Sequence, residues 1–345
     1  MSKSETNSNS KLVKAKKREP KLRRKPSVHR FEPYRFSYSN LFRISRFGFW
    51  ILDFGFFLVQ SEFQTMTVET VRYLAFDVES VADGQLVARI RYPQESLQPA
   101  DAIRRYRDEL MEKFASDFIP YSFQYPVSIV VAKIGGDFRL IDLIALDEPN
   151  FRSHIMTEHF WRGWEAYKRP TLISFNGRAF DMPLLELAAF RFGIRLPGWM
   201  EMKGPNYQQP RYRYNNESHL DLYDVLTNYG ATRMTGGLNL AANLLGKPGK
   251  MDVQGHMVQD LFNQGDVAGI NDYCRCDVLD TYFVFLRTMV MLGTLTLERE
   301  RDIVAETKEW LSERSATVAS YRAYLERWGD WHNPWELKQP CLAAP

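Results

Sequence analysis

The chain has 345 residues, 45% hydrophobic and 25% charged, with a formal net charge of +3. Those figures describe an ordinary soluble globular protein of one large domain or two modest ones, and a charge of +3 argues neither for nor against a nucleic-acid partner. Three cysteines, Cys274, Cys276 and Cys341, are too few for a disulfide framework,. The C-x-C pair has no zinc-like partners nearby, and reduced thiols in a cytoplasmic protein are expected.

The positive charge is concentrated at the start. The tract "KLVKAKKREPKLRRKPSVHR" holds one acid among many bases, and the remainder of the chain is net acidic. Without hydrophobic periodicity, residues 1–65 read as a disordered basic extension, either a nucleic-acid-binding arm or an over-extended gene start. The second reading is preferred, because Met66 opens "MTVETVRYLAFDVES", a few polar residues followed by a first strand. No run of 18 apolar residues occurs; the nearest, Phe47–Gln60, is short and contains Asp53,.

From Val71 the pattern is α/β. "VRYLAFDV" has the β-branched and aromatic content of a strand, and "VADGQ" after it reads as a loop,. Residues 99–116 follow a helical period with Pro99 at the start. "PVSIVVAKI" and "FRLIDLIAL" flank "GGD" as a hairpin,. Residues 153–168 form an amphipathic helix, "TLISFNG" a buried strand, and "MPLLELAAFRFG" the next helix. "SHLDLYDVL" runs from a short strand into a helix. Further helices are expected at "LNLAANLLG", near residues 256–263, over "VAGINDYCRCDVLDTYFVFLRTMVML", and across the charged segment 297–326. This order implies a mixed sheet with helices on both faces. The expected organisation is an extension (1–65), a catalytic domain (66–292) and a C-terminal helix and tail (293–345).

The acids carry the chemistry. Asp77 and Glu79 are i and i+2 on the first strand and therefore share a face. Two adjacent carboxylates repel, and burial raises the cost, so a cation or a proton must offset them. Alone, such a pair is also what an exposed strand end looks like. A second strand ends at Asn176-Gly177, the chain turns, and Asp181 opens a helix with Pro183 in its first turn,. Asp181 as a helix cap and Asn176 as a turn residue are the plain structural alternatives. On the late helix Tyr273 and Asp277 are i and i+4, on one face beside the apolar side chains Leu279, Phe283 and Leu286,. An acid there is costly unless it binds something.

"AFDVES", "SFNGRAFDMPLL" and "YCRCDVLDTYFVFLR" together resemble the three exonuclease motifs of the DEDD superfamily, and within it the stand-alone predicted 3′–5′ exonucleases related to the exonuclease domain of family B DNA polymerases. The resemblance covers about residues 70–292. The superfamily's other branch carries histidine five residues before the last aspartate; that position is Asp272 here, so the tyrosine-containing DEDDy branch is the one resembled. The resemblance implies a ribonuclease H-like mixed five-stranded sheet flanked by helices, with the C-terminal helices as an extension. It implies that Asp77, Glu79, Asp181 and Asp277 hold two Mg²⁺ or Mn²⁺ ions, that Tyr273 orients the attacking water, and that nucleoside 5′-monophosphates leave the 3′ end of a single-stranded nucleic acid, with DNA favoured. Two such ions roughly 3.5–4 Å apart clamp the attacking and leaving oxygens of an in-line displacement.

Asn176 and Phe180 are expected to hold the terminal nucleotide, and Lys247 and Lys250, beyond Gly236-Gly237, to grip phosphates. "YQQPRYRYNN" mixes arginine and tyrosine in a way that suits a single strand, or is a plain surface loop. Asp221 is read as a structural cap rather than a metal ligand, Asp280 as at most a supporting residue, and the histidines as uninvolved. The competing reading of the whole chain is a catalytically inactive nucleic-acid-binding module on the same fold; a third is an enzyme acting on free nucleotides.

Overall fold

β1 (Val71–Ala82) has two faces with different neighbours. Leu74, Phe76 and Val78 pack one way, against α3 (Ser153–Ala166) and α4 (Asp181–Phe192). Tyr73 and Ala75 pack the other way, against α8 (Val267–Met291). The alternation is the period-2 geometry of a strand with both faces covered. β2 (Gln124–Gly135) repeats it: Ile129 and Val131 join the first cluster, Val130, Ala132 and Ile134 the second. The result is three layers, helix on sheet on helix, in a computed structural model that describes residues 70–250 and 257–336. The basic extension with its gene-start reading, the Phe47–Gln60 stretch and the last residues, Cys341 among them, lie outside the described residues.

The sheet has five strands in the order β3-β2-β1-β4-β5, with β3 at Leu140–Ala145, β4 at Thr171–Ser174 and β5 at His219–Asp221. β2 is antiparallel to β1 and β3, whereas β1, β4 and β5 run parallel. This is the mixed five-stranded sheet flanked by helices that the motifs implied. β4 pairs with β1 only over Tyr73–Ala75 and then ends. β1 continues beyond it, so Asp77 and Glu79 stand at the carboxyl ends of the parallel strands, where open α/β sheets leave a crevice.

Between β1 and β2 the chain inserts α1 (Gly84–Arg91) and α2 (Pro99–Phe114). The expectation of a loop at "VADGQ" is corrected here. Asp83 does not make a turn; its carboxylate accepts the Leu86 N–H at 3.0 Å and caps α1,. Gly84 is required because a Cβ there would lie 2.4 Å from the Pro99 carbonyl oxygen where α2 begins. Val87, Tyr92, Ala102, Tyr106 and Leu110 give the insertion a core of its own.

The remaining α-helices among the described residues are α5 (Leu222–Leu226), α6 (Gly237–Asn243), α7 (Val258–Asn263), α9 (Leu297–Arg314) and α10 (Ala319–Glu326). The segment 297–326 is thus two helices rather than one, broken at residues 315–318. Both pack through Ile303, Leu311, Tyr321 and Tyr324 into the cluster that α8 forms on the sheet. No helix among the described residues is long and apolar enough to cross a membrane.

Candidate active site

Asp77 and Glu79 project from β1 toward α8, whose Asp277 meets them; one carboxylate oxygen from each of the three lies within 4.8 Å of the others. A buried contact ties α8 to the sheet in that position: Ser128 on β2 donates to Asn271 at 2.7 Å, and the Asn271 amide is itself oriented by donating to the Val267 carbonyl one turn back on α8 at 2.8 Å. The Cys274 thiol lies 3.4 Å from the Asp77 carboxylate and offers it a weak S–H donor,.

Asp181 comes to the same cavity from the opposite layer. After β4 the chain passes Asn176, held at φ 64°, and Gly177, then doubles back. A Cβ on Gly177 would sit 2.5 Å from Ser174 Oγ and 2.8 Å from Asp181 Oδ2, so only glycine lets the turn close this tightly,. The reading of Asp181 as a helix cap fails on geometry: Phe180 is the N-cap of α4 and no side chain caps it. Asp181 is buried in the first turn instead, and it lines one cavity with Asp77, Glu79, Asn176 and Phe180.

Asp221 secures the turn from behind. Its carboxylate accepts the backbone N–H groups of Asn176 and Arg178, each at 2.8 Å, and that of Tyr223 at 3.0 Å. It is therefore a structural cap for the turn as well as for α5. Arg178 completes the brace through Asp224 at 3.0 Å and the His219 carbonyl at 2.7 Å.

The electrostatics of the cluster are severe. Burial, offset only in part by the Cys274 and Val78 hydrogen bonds and by Lys250, pushes Asp77 up to about 6. Burial and then the repulsion of the neighbouring acids raise Glu79 and Asp181 well above the usual carboxylate range. Asp277 is raised likewise by burial, Asp77 and Asp280. None of the four has a salt-bridge partner among the described residues, although Lys250 favours ionisation of Asp77, Glu79 and Asp277 at longer range. Burial, and then the charges of Asp277, Glu79 and Asp77 around it, drive the Tyr273 phenol upward, so it stays protonated. A set of hard oxygen donors with unbalanced negative charge fits a divalent cation.

Of the expected substrate contacts, Asn176 and Phe180 line the cavity, Phe180 against Phe118 at 5.6 Å, and Lys250 acts on the cluster electrostatically. Lys247 does not belong with them. It is 4% exposed, donates to the Gly329 carbonyl at 3.2 Å, and lies 3.8 Å from the Trp328 ring centroid. Its short apolar neighbourhood, "LLGKPG", is the signal that it anchors structure. Asp280 faces away from the cluster, taking the Tyr324 hydroxyl at 2.6 Å. His219 is buried against Ser174 at 2.7 Å.

A family-wide sequence pattern described as "Predicted 3′-5′ exonuclease related to the exonuclease domain of PolB" matches residues 116–328, more than half of the chain. The chain belongs to this PolB-related exonuclease family. Its acid motifs at Asp181 and Asp277 fall within the matched range, and Asp77 and Glu79 precede it. The chain is 20% identical over 210 residues to a DNA polymerase of Archaeoglobus fulgidus, a match covering 61% of this chain and 24% of the polymerase. The structure of the family B DNA polymerase from Pyrobaculum calidifontis aligns at 15% identity with a TM-score of 0.40, covering 64% of this chain and 24% of that one. The chain thus spans about a quarter of the length of either polymerase.

Proposed function

We propose that the protein is a metal-dependent 3′–5′ exonuclease that hydrolyses phosphodiester bonds at the 3′ end of single-stranded nucleic acid, DNA favoured, and releases nucleoside 5′-monophosphates. The observation that carries the reading is the convergence of Asp77, Glu79 and Asp277 within 4.8 Å, with Asp181 lining one cavity with Asp77 and Glu79 and no salt bridge among the described residues to offset them. A retired enzyme used only for binding has no physical reason to keep such repulsion. Buried, unpaired Cys274 and Cys276 suit a reducing, cytoplasmic setting,.

Asp77, Glu79, Asp181 and Asp277 would hold two Mg²⁺ or Mn²⁺ ions. Bound there, the ions would polarise the scissile phosphate and lower the pKa of the attacking water. The protein's own groups do the rest. Tyr273, buried on α8 one turn before Asp277 and protonated at neutral pH, positions the water by hydrogen bonding and cannot serve as its base. Asn176, exposed on a turn clamped by Asp221, presents its amide to the terminal nucleotide. Phe180 offers a ring on which a base can stack.

The test is digestion of a labelled single-stranded oligonucleotide by the full-length protein with Mn²⁺ or Mg²⁺. Stepwise shortening from the 3′ end is expected, with EDTA stopping it. Tyr273→Phe is expected to slow turnover by about 10²-fold while metal-dependent thermal stabilisation persists. Undiminished cleavage by Asp77→Ala, Glu79→Ala would remove the mechanism, and oligonucleotide binding without cleavage would favour the inactive module.

A further inference from the structure

The cavity lined by Asp77, Glu79 and Asp181 does not end at them. It measures about 530 Å³ and shares Ala82, Arg107, Asp117 and Gln259 with a second cavity of about 900 Å³ bordered by α1, α2 and α7. The two cavities meet at these four residues, the neck between them. The neck is rigidly built: Gln259 accepts the Ala82 N–H at 2.9 Å and donates to Asn263 at 3.2 Å, while Asp83 both caps α1 and pairs with Arg191 at 2.7 Å.

Arg107 projects from α2 into this neck. Its Nε is buried and makes no hydrogen bond, and the Asp117 carboxylate stands off at 4.0 Å. The other arginines lining the outer cavity are engaged, Arg104 with Asp101 at 2.7 Å and Arg191 with Asp83. Arg107 is thus the guanidinium with donors to spare, and its planar fork matches a phosphate. Beyond it, Tyr125 and Phe262 line the outer cavity edge to face at 6.2 Å, an aromatic surface for a base,. Asp108 and Asp260 also line that cavity, so recognition there depends on Arg107 and not on bulk positive charge.

We propose that the α1–α2 insertion builds a strand-binding channel behind the carboxylates, in which Arg107 grips a phosphodiester on the 5′ side of the scissile one and the outer cavity takes the nucleotide behind it. The inference rests on the exonuclease reading above. It makes Arg107 a positioning residue for polymeric substrate.

The experiment compares two substrates of the full-length protein: a single-stranded oligothymidylate, and the p-nitrophenyl ester of thymidine 5′-monophosphate, which has no upstream phosphate. Arg107→Ala is expected to raise KM for the oligonucleotide about tenfold, with kcat little changed and a smaller loss on the ester; Arg107→Lys should restore part of it. Met111→Trp, filling the outer cavity from a half-exposed position on α2, should show the same selectivity with the arginine intact. Equal losses on both substrates, or none on either, overturn the proposal. If the wild type cleaves neither substrate, the exonuclease reading is what fails. The channel is then decided by fluorescence anisotropy of a labelled oligothymidylate on the Asp77→Asn protein in EDTA. There Arg107→Ala should weaken Kd about tenfold, and an unchanged Kd overturns the channel.

Discussion

Asp77 and Glu79 share a strand face two residues apart, and Asp277 closes on them from α8, so in the cation-free protein each ionisation works against the next. Folding places Asp77 about two pH units above its ordinary value, chiefly by burial. Replacing it with the neutral isostere should therefore separate stability from activity. Asp77→Asn is expected to stabilise the EDTA-treated protein by about 1–3 kcal/mol, seen as a higher melting temperature, while cutting nuclease activity by at least about 10³-fold. Paired thermal melts and digestion assays read both effects, and a lowered melting temperature in EDTA would count against the electrostatic account. Cys274 bears on the same point: its S–H is a weak donor to Asp77, and Cys274→Ala removes an offset that the letters C-x-C did not reveal.

At the scale of elements, the site depends on how β4 stops. Four residues long, it delivers the chain into a turn whose walls are Ser174, Asp181 and the Asp221 carboxylate. Gly177→Ala should force Ser174 or Asp181 aside, costing about 1–3 kcal/mol of stability and at least tenfold in kcat, measurable by denaturant unfolding and by turnover. Strand and helix periods made the β1–β2–β3 meander, β4, α4 and α8 legible, because each has a long apolar face that only one secondary structure explains. The acids were legible because D-x-E, F-D and Y-x-x-x-D sit at the ends or faces of those same elements. The insertion was only half legible. Asp-Gly favours turns and caps alike, and what decides for α1 is the close approach of Gly84 to Pro99, a contact made in three dimensions. Lys247 was misplaced for a related reason: a lysine after a glycine-rich loop looks like a phosphate ligand until a tryptophan 81 residues later is seen to cover it. Arg107 and Gln259 carried no motif at all, since their meaning comes from a neck formed by distant segments.

For the molecule as a whole, the raised carboxylates set how stability follows pH. A carboxyl group whose folded pKa lies above its unfolded value binds protons more tightly when folded, so its contribution is present at low pH and is lost as pH rises through the folded value. For Asp77 that window runs from about 4 to about 6, and Glu79, Asp181 and Asp277 extend it upward. In EDTA the melting temperature should fall across this range. With Mg²⁺ or Mn²⁺ it should fall less, so that the stabilisation by metal grows with pH; a pH-independent metal effect in parallel thermal scans would contradict this. The far end of the chain reaches into the same balance. Lys247, held by burial down to about 8, keeps its ammonium group under Trp328 and against the Gly329 carbonyl, and the Gly329 N–H bonds back to Gly246 at 2.8 Å. Three residues further along that loop is Lys250, the cation that the acidic cluster feels. The C-terminal tryptophan segment is therefore a mooring for the loop that carries Lys250, and a protein trimmed before Trp328 would lose that hold.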